Sequence, residues 1–131
     1  MHRQKNSPQL EYRLKQRKQI EASASLAAKF PELRALKVTL EFFDVTGTIR
    51  NSAINCQLNV EHAHSVLWYA CPGFECLEGD FELSEALAHA VADRRGAVSG
   101  ELRCQGTRKR GQRERQPCNT LLRYRLGLSY S

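Results

Sequence analysis

The chain has 131 residues, 41% of them apolar, and a formal net charge of +6, which suits one modest globular domain and excludes wholesale disorder. No apolar run approaches the roughly 20 residues needed to span a bilayer, and the polar, basic first ten residues lack the apolar stretch of a secretory signal, so a cytoplasmic protein with no membrane partner is expected. Charge is segregated, with net +5 over residues 1–34, −6 over 35–102 and +7 over 103–131; this implies a polyanionic partner, or a tail folded back on the acidic middle.

Residues 1–34 read as a basic helical or flexible arm. Leu14 and Ile20 stand among Arg13, Lys15, Arg17 and Lys18, a weak amphipath, and a solvated, frayed tail is the plain expectation when no partner is present. Residues 22–30 have better helix propensity and end at Pro31.

Residues 35–131 read as a single domain. Leu36, Val38, Leu40 and Phe42 alternate with Lys37, Thr39 and Glu41, the period-two pattern of a half-buried strand. Asp44-Val45-Thr46-Gly47 signals a turn. Ile54, Cys56, Leu58 and Val60 form a second alternating row, and residues 66–70 suggest a third strand.

The strongest helix signal spans residues 80–96. Asp80 or Ser84 can cap its start, Glu82 and Glu85 suit its positive end, and Leu83, Ala86, Leu87, Ala90 and Val91 make one apolar stripe. Arg94 and Arg95 sit in the last turn, Gly96 follows as a left-handed terminator, and His89 falls off the stripe, hence exposed. Val98, Gly100, Leu102 and Cys104 then share one strand face. Leu122, Tyr124, Leu126, Leu128 and Tyr130 share another, with Arg123 and Arg125 on the opposite face beside Arg103 if the two strands pair. The order β-β-β-α-β-β predicts an α+β fold, an antiparallel sheet of four or five strands with one packed helix.

The cysteines carry the clearest chemistry. Cys71-Pro72-Gly73-Phe74-Glu75-Cys76 sets two thiols across a tight turn, the spacing of a structural zinc half-site. Cys104 and Cys118 would supply the other half by facing each other across the base of a hairpin. Four thiolates close a zinc tetrahedron, which makes such an ion structural, one per chain. The alternatives are unligated thiols or disulfides. Cys56 lies in the apolar row of its strand and is expected as a small core residue, and His62 and His64 as loop residues.

Between Cys104 and Cys118 runs a loop rich in Arg, Lys, Gly and Gln. Residues 103–115 hold six basic residues: Arg103, Arg108, Lys109, Arg110, Arg113 and Arg115. Guanidinium forks bond phosphate oxygens in pairs and glycine lets backbone approach, so with Arg123 and Arg125 these residues predict contact with an RNA or DNA backbone. A solvated loop that only aids solubility is the alternative. Aromatic residues for base stacking are scarce there. The chain carries no phosphate-binding glycine loop, nucleophile elbow, HExxH or zinc-deaminase pattern, so no enzymatic activity is expected. A protein-interaction or regulatory module, docking through the acidic helix or basic arm, is the second reading.

Residues 36–130 resemble a group of small uncharacterised bacterial proteins. The resemblance rests on Glu61-His62-Ala63-His64-Ser65, Cys71-Pro72 with Glu75-Cys76, Gly79-Asp80-Phe81-Glu82-Leu83, Gly100-Glu101 with Cys104-Gln105-Gly106, and Leu122-Arg123-Tyr124. It implies a domain starting near residue 35 and cysteines that act as a set. It implies no catalytic residue or substrate, and it does not extend over the basic loop.

Overall fold

In a computed structural model the chain is described over residues 8–73, 76–77, 79–108 and 116–131. The first alternating row becomes β1 (Leu33–Phe43), whose Leu36, Val38, Leu40 and Phe42 are buried. It lies inside a four-stranded antiparallel sheet with β2 (Arg50–Leu58), β6 (Ala97–Arg103) and β9 (Leu121–Tyr130), in the order β2-β1-β9-β6. The register sets Val38 opposite both Cys56 and Leu126, and Leu126 opposite Val98. Directly opposed residues share a face, so this row and its neighbours at every second residue form the inner face. Lys37, Thr39, Glu41, Arg123, Arg125, Ser99 and Glu101 form the outer face. The fold is α+β, as the patterning predicts.

The inner face is covered by α3 (Ser84–Ala92) through Leu87, Ala90 and Val91, together with Leu26, Leu67, Phe81 and Leu83, in one continuous core. Phe42 and Phe81 pack with ring centroids 5.7 Å apart. Each such fully buried large side chain stabilises the fold by about 1.5–3 kcal/mol. Cys56 is half-buried against the core edge. Asp44 organises the β1–β2 turn: its Oδ1 accepts from the Thr46 hydroxyl at 2.7 Å and from the Thr48 N–H at 3.1 Å, while Gly47 takes φ 77°.

Four local expectations are corrected. The third strand, β3 (Trp68–Ala70), pairs not with the main sheet but with β5 (Asp80–Glu82). The helix therefore starts later than residue 80: Phe81 is buried between the exposed Glu82 and the less buried Asp80, a strand's alternation. Neither proposed cap acts as one, because Ser84 Oγ accepts instead from the Leu67 N–H at 2.8 Å and the cap position, Leu83, has no side-chain bond. At the other end Arg94, not Gly96, takes the left-handed conformation, at φ 48°; its guanidinium lies 4.7 Å over the Tyr130 ring.

The arm is helical over α1 (Pro8–Ala22) and α2 (Leu26–Lys29), and it is packed rather than solvated. Ser25 caps α2 by accepting from the Ala28 N–H, and Leu26 is fully buried. On α1, Tyr12 donates to Asp80, Arg13 Nη2 donates to the Gly79 carbonyl at 2.7 Å, and Gln16 is buried. Among the described residues, no helix is long and apolar enough to cross a membrane.

Candidate metal centre

The β6–β9 ladder continues beyond its strands in unbroken register. Arg103 opposes Leu121, the Cys104 N–H donates to the Thr120 carbonyl at 2.9 Å, and the Cys118 N–H donates to the Gly106 carbonyl at 2.9 Å. The ladder then becomes β7 (Thr107–Arg108) and β8 (Gln116–Pro117), with Thr107 opposite Pro117. Cys104 and Cys118 thus do not face each other. Thr120 opposes Cys104, Gly106 opposes Cys118, and the two thiols meet on the diagonal of one face.

The second pair arrives on the other side. Cys71 follows β3, and Cys76 opens β4 (Cys76–Leu77), which pairs with β7 through Cys76 opposite Arg108 and Leu77 opposite Thr107. The turn between them is closed by the Cys76 N–H donating to the Gly73 carbonyl at 3.1 Å. Cys71 Sγ lies 3.8 Å from Cys118 Sγ, and Cys76 Sγ lies 3.6 Å from Cys104 Sγ. All four thiols are buried, and their sulfurs lie within 4.8 Å of one another. A disulfide needs about 2.05 Å, so the cysteines are free. The cluster could hold a metal ion.

Backbone and hydroxyl groups already face the sulfurs. The Gly73 N–H donates to Cys71 Sγ and the Gly106 N–H to Cys104 Sγ, each at 3.3 Å, and Cys118 Sγ lies 3.1 Å from the Thr120 hydroxyl. Two glycines make the enclosure. A Cβ on Gly79 would come within 2.3 Å of Cys76 Sγ and 2.5 Å of Cys104 Sγ. A Cβ on Gly106 would come within 2.6 Å of the Gly79 Cα and 2.7 Å of the Leu77 carbonyl. Gly79, Gly106 and Thr120 are site residues that cysteine spacing alone does not announce; the signal available was a glycine two or three residues beyond Cys104 and Cys76.

Without a cation the cluster tolerates little negative charge. The Cys104 thiol donating toward it brings the Cys71 pKa down to about 5. Burial, then the charge on Cys71, pushes Cys76 up to about 12. The bond to Cys71 and burial push Cys104 up as well. One thiolate is favoured at Cys71 while Cys76 and Cys104 are held as thiols, so ionising all four calls for a compensating positive charge.

The basic residues divide. Arg103, Arg123 and Arg125 lie on the outer face of the same two strands. Arg103 Nη1 is spent on the Val45 and Asn119 carbonyls at 2.7 and 3.1 Å. Arg123 pairs with Glu101 at 2.7 Å and stacks over Phe43. Arg125 is exposed and, among the described residues, makes no ion pair. Arg108 is placed by its backbone in β7; its side chain, and Lys109, Arg110, Arg113 and Arg115, lie outside the described residues. His62 and His64 stand apart from the cysteine cluster, with His64 bridged to Ser25. No family model, no curated protein and no solved structure matches the chain; the resemblance stated above stands on its motif residues alone.

Proposed function

We propose that this chain is a non-enzymatic, cytoplasmic module, stabilised by one structural zinc ion, that binds an RNA or DNA backbone through its basic loop. The four-cysteine cluster carries the reading. Sulfurs about 2.3 Å from a tetrahedral zinc stand about 3.8 Å apart, and the two close pairs here are 3.6 and 3.8 Å apart. Cys71, Cys76, Cys104 and Cys118 would fill all four positions, which leaves none for substrate and makes the ion a staple rather than a reagent.

The cluster also gives the loop a base. Cys104 and Cys118 flank its two ends, and Cys76 is joined to it through β4 and β7. Arg108, Lys109, Arg110, Arg113 and Arg115 would supply most of the phosphate contacts. Arg125 extends that basic surface onto the sheet, with Arg103 and Arg123 beside it. Contact with phosphates requires only a dense, accessible set of guanidinium groups.

Salt dependence tests the reading. Affinity for duplex DNA should fall with a log–log salt slope of about −0.9 per phosphate neutralised, and replacing Arg108, Lys109, Arg110, Arg113 and Arg115 together with Ser should abolish binding while the fold stays intact. A slope shallower than about −2 would leave too few phosphate contacts for the loop to matter and favour a protein partner, whereas unchanged affinity in the loop variant would place the nucleic-acid contact elsewhere on the chain.

A further inference from the structure

A cleft of about 430 Å³ separates α1 from β3, within the roughly 300–1,000 Å³ range of small-ligand sites. None of the four cluster cysteines lines it. Arg13, Gln16, Arg17, Ile20 and the acidic Glu21 form its helical wall, and Trp68 and His64 lie across from them. Gln16 is 5% exposed. Its Oε1 accepts from Arg13 Nη1 at 2.9 Å, which fixes the amide orientation and turns Nε2 into a donor. That Nε2 is buried and, among the described residues, has no hydrogen-bond partner. A buried donor left unmet is costly and rare, so a ligand offering an acceptor here would relieve it.

Two further groups define that ligand. Trp68 is half-buried and forms part of the cleft wall. Tyr12 meets it edge-on, with centroids 6.3 Å apart at 85°, and steadies the indole. Arg17 is exposed at the rim and, among the described residues, makes no ion pair. A steadied aromatic ring, a buried amide donor and an unpaired guanidinium are what an unpaired base and its phosphate require: a stacking surface, an edge contact and a cation. An aliphatic ligand would leave Gln16 Nε2 as unmet as before.

We propose that the cleft between α1 and β3 binds one unpaired nucleobase of a single-stranded nucleic acid, stacked on Trp68, with a ring acceptor on Gln16 Nε2 and a neighbouring phosphate on Arg17. The proposal deepens the nucleic-acid reading, and for a polymeric ligand it rests on it. It adds base contacts to a surface otherwise limited to phosphates, and it makes single strands the preferred ligand.

Trp68 is the only tryptophan, so its emission reports the site directly. The full chain, purified with its metal, is titrated with a single-stranded oligoribonucleotide, the matching duplex and a nucleoside monophosphate, with labelled-oligonucleotide anisotropy as a second readout. Saturable quenching by the single strand and not by the duplex is expected. Trp68→Ala should weaken single-strand binding by about 5- to 150-fold, the range one base–aromatic stack supplies, and leave duplex binding unchanged. Should Trp68→Ala fail to fold, Gln16→Met and the surface change Arg17→Ser carry the same comparison. Oligonucleotide binding with unaltered Trp68 emission and wild-type affinity in the variants would overturn the base site and leave the loop reading standing. Quenching by the monophosphate without any oligonucleotide binding would keep the base site and overturn the polymer reading. Emission indifferent to all three ligands, with no binding by anisotropy, would overturn both.

Discussion

Gly79 and Gly106 lie back to back at the floor of the cysteine cluster, so close that a Cβ on Gly106 would come within 2.6 Å of the Gly79 Cα. Gly79 is hemmed in from the other side as well, by Cys76 and Cys104. The contacts facing Gly106 are backbone, which cannot swing aside as a side chain can. Gly106→Ala should therefore separate β4 from β7 and cost about 1–3 kcal/mol or more. Gly79→Ala should wedge the sulfurs apart and lower metal content even where the chain still folds. Thermal unfolding and elemental analysis of both variants check this; wild-type stability and metal content in either would mean the enclosure is looser than these distances imply.

Metal removal should act locally before it acts globally. The main sheet holds its own apolar core, whereas β4, β7 and β8 are two-residue strands joined around the cysteines. One zinc per chain is expected by elemental analysis, and cobalt(II) in its place should give intense thiolate charge-transfer absorption. Zinc contributes on the order of 10–16 kcal/mol in small zinc peptides, comparable to the whole net stability of many domains. Chelation, or Cys104→Ser, should thus lose the protection of amides such as Cys76 and Cys118 first and destabilise the rest in turn. Metal-free protein with unchanged circular dichroism and unchanged exchange at those amides would reduce the cysteines to core residues.

What the sequence disclosed follows from the length of each pattern. β1, β6 and β9 are long enough to show period two, and their inner and outer faces were legible down to Arg123 and Arg125. β4, β5, β7 and β8 span two or three residues each, too few to repeat a period, and acidic Asp80 and Glu82 resemble a helix start as readily as a strand. The four cysteines were legible as a set from their chemistry and spacing. Their diagonal arrangement was not, because it depends on Thr120 opposing Cys104, a matter of register. The cleft at Trp68 was invisible for another reason: it exists only because α1 docks, and the burial of Gln16, a polar residue, leaves no apolar signature.

Asp44 should make the β1–β2 turn sensitive to acid. The Thr46 hydroxyl, ahead of the backbone N–H groups of Ile49, Thr48 and Gly47, holds its carboxyl below the ordinary 3.8. A carboxyl depressed on folding contributes stability that is fully present above the unfolded value and is lost as pH falls through the lower folded one. Amide exchange at Thr48 and Ile49 should therefore accelerate, relative to the intrinsic rate, as pH falls from above 3.8 through the lower folded value. Asp44→Ala should show the accelerated behaviour at every pH. Equal protection on both sides of that window would mean that the turn is held by backbone alone.

Arg103 and Arg125 share a sheet face but should separate cleanly by mutation. Arg103 joins the β1–β2 turn to the segment that carries Cys118 and Thr120, through the Val45 and Asn119 carbonyls. Its replacement by Ala removes two charge-assisted bonds at an exposed site, a loss of about 1 kcal/mol and roughly 3–6 °C in Tm. Arg125, exposed and without an ion pair among the described residues, should be replaceable by Ser within about 0.5 kcal/mol. If Arg125 contacts phosphate, that same change should make the log–log salt slope shallower by about 0.9, with the unfolding curve unmoved. Arg103→Ala should shift both readouts, since its loss also frees the turn beside the loop. A stability loss in Arg125→Ser, or an unaltered salt slope, would assign its guanidinium to the fold or to solvent rather than to a polyanion.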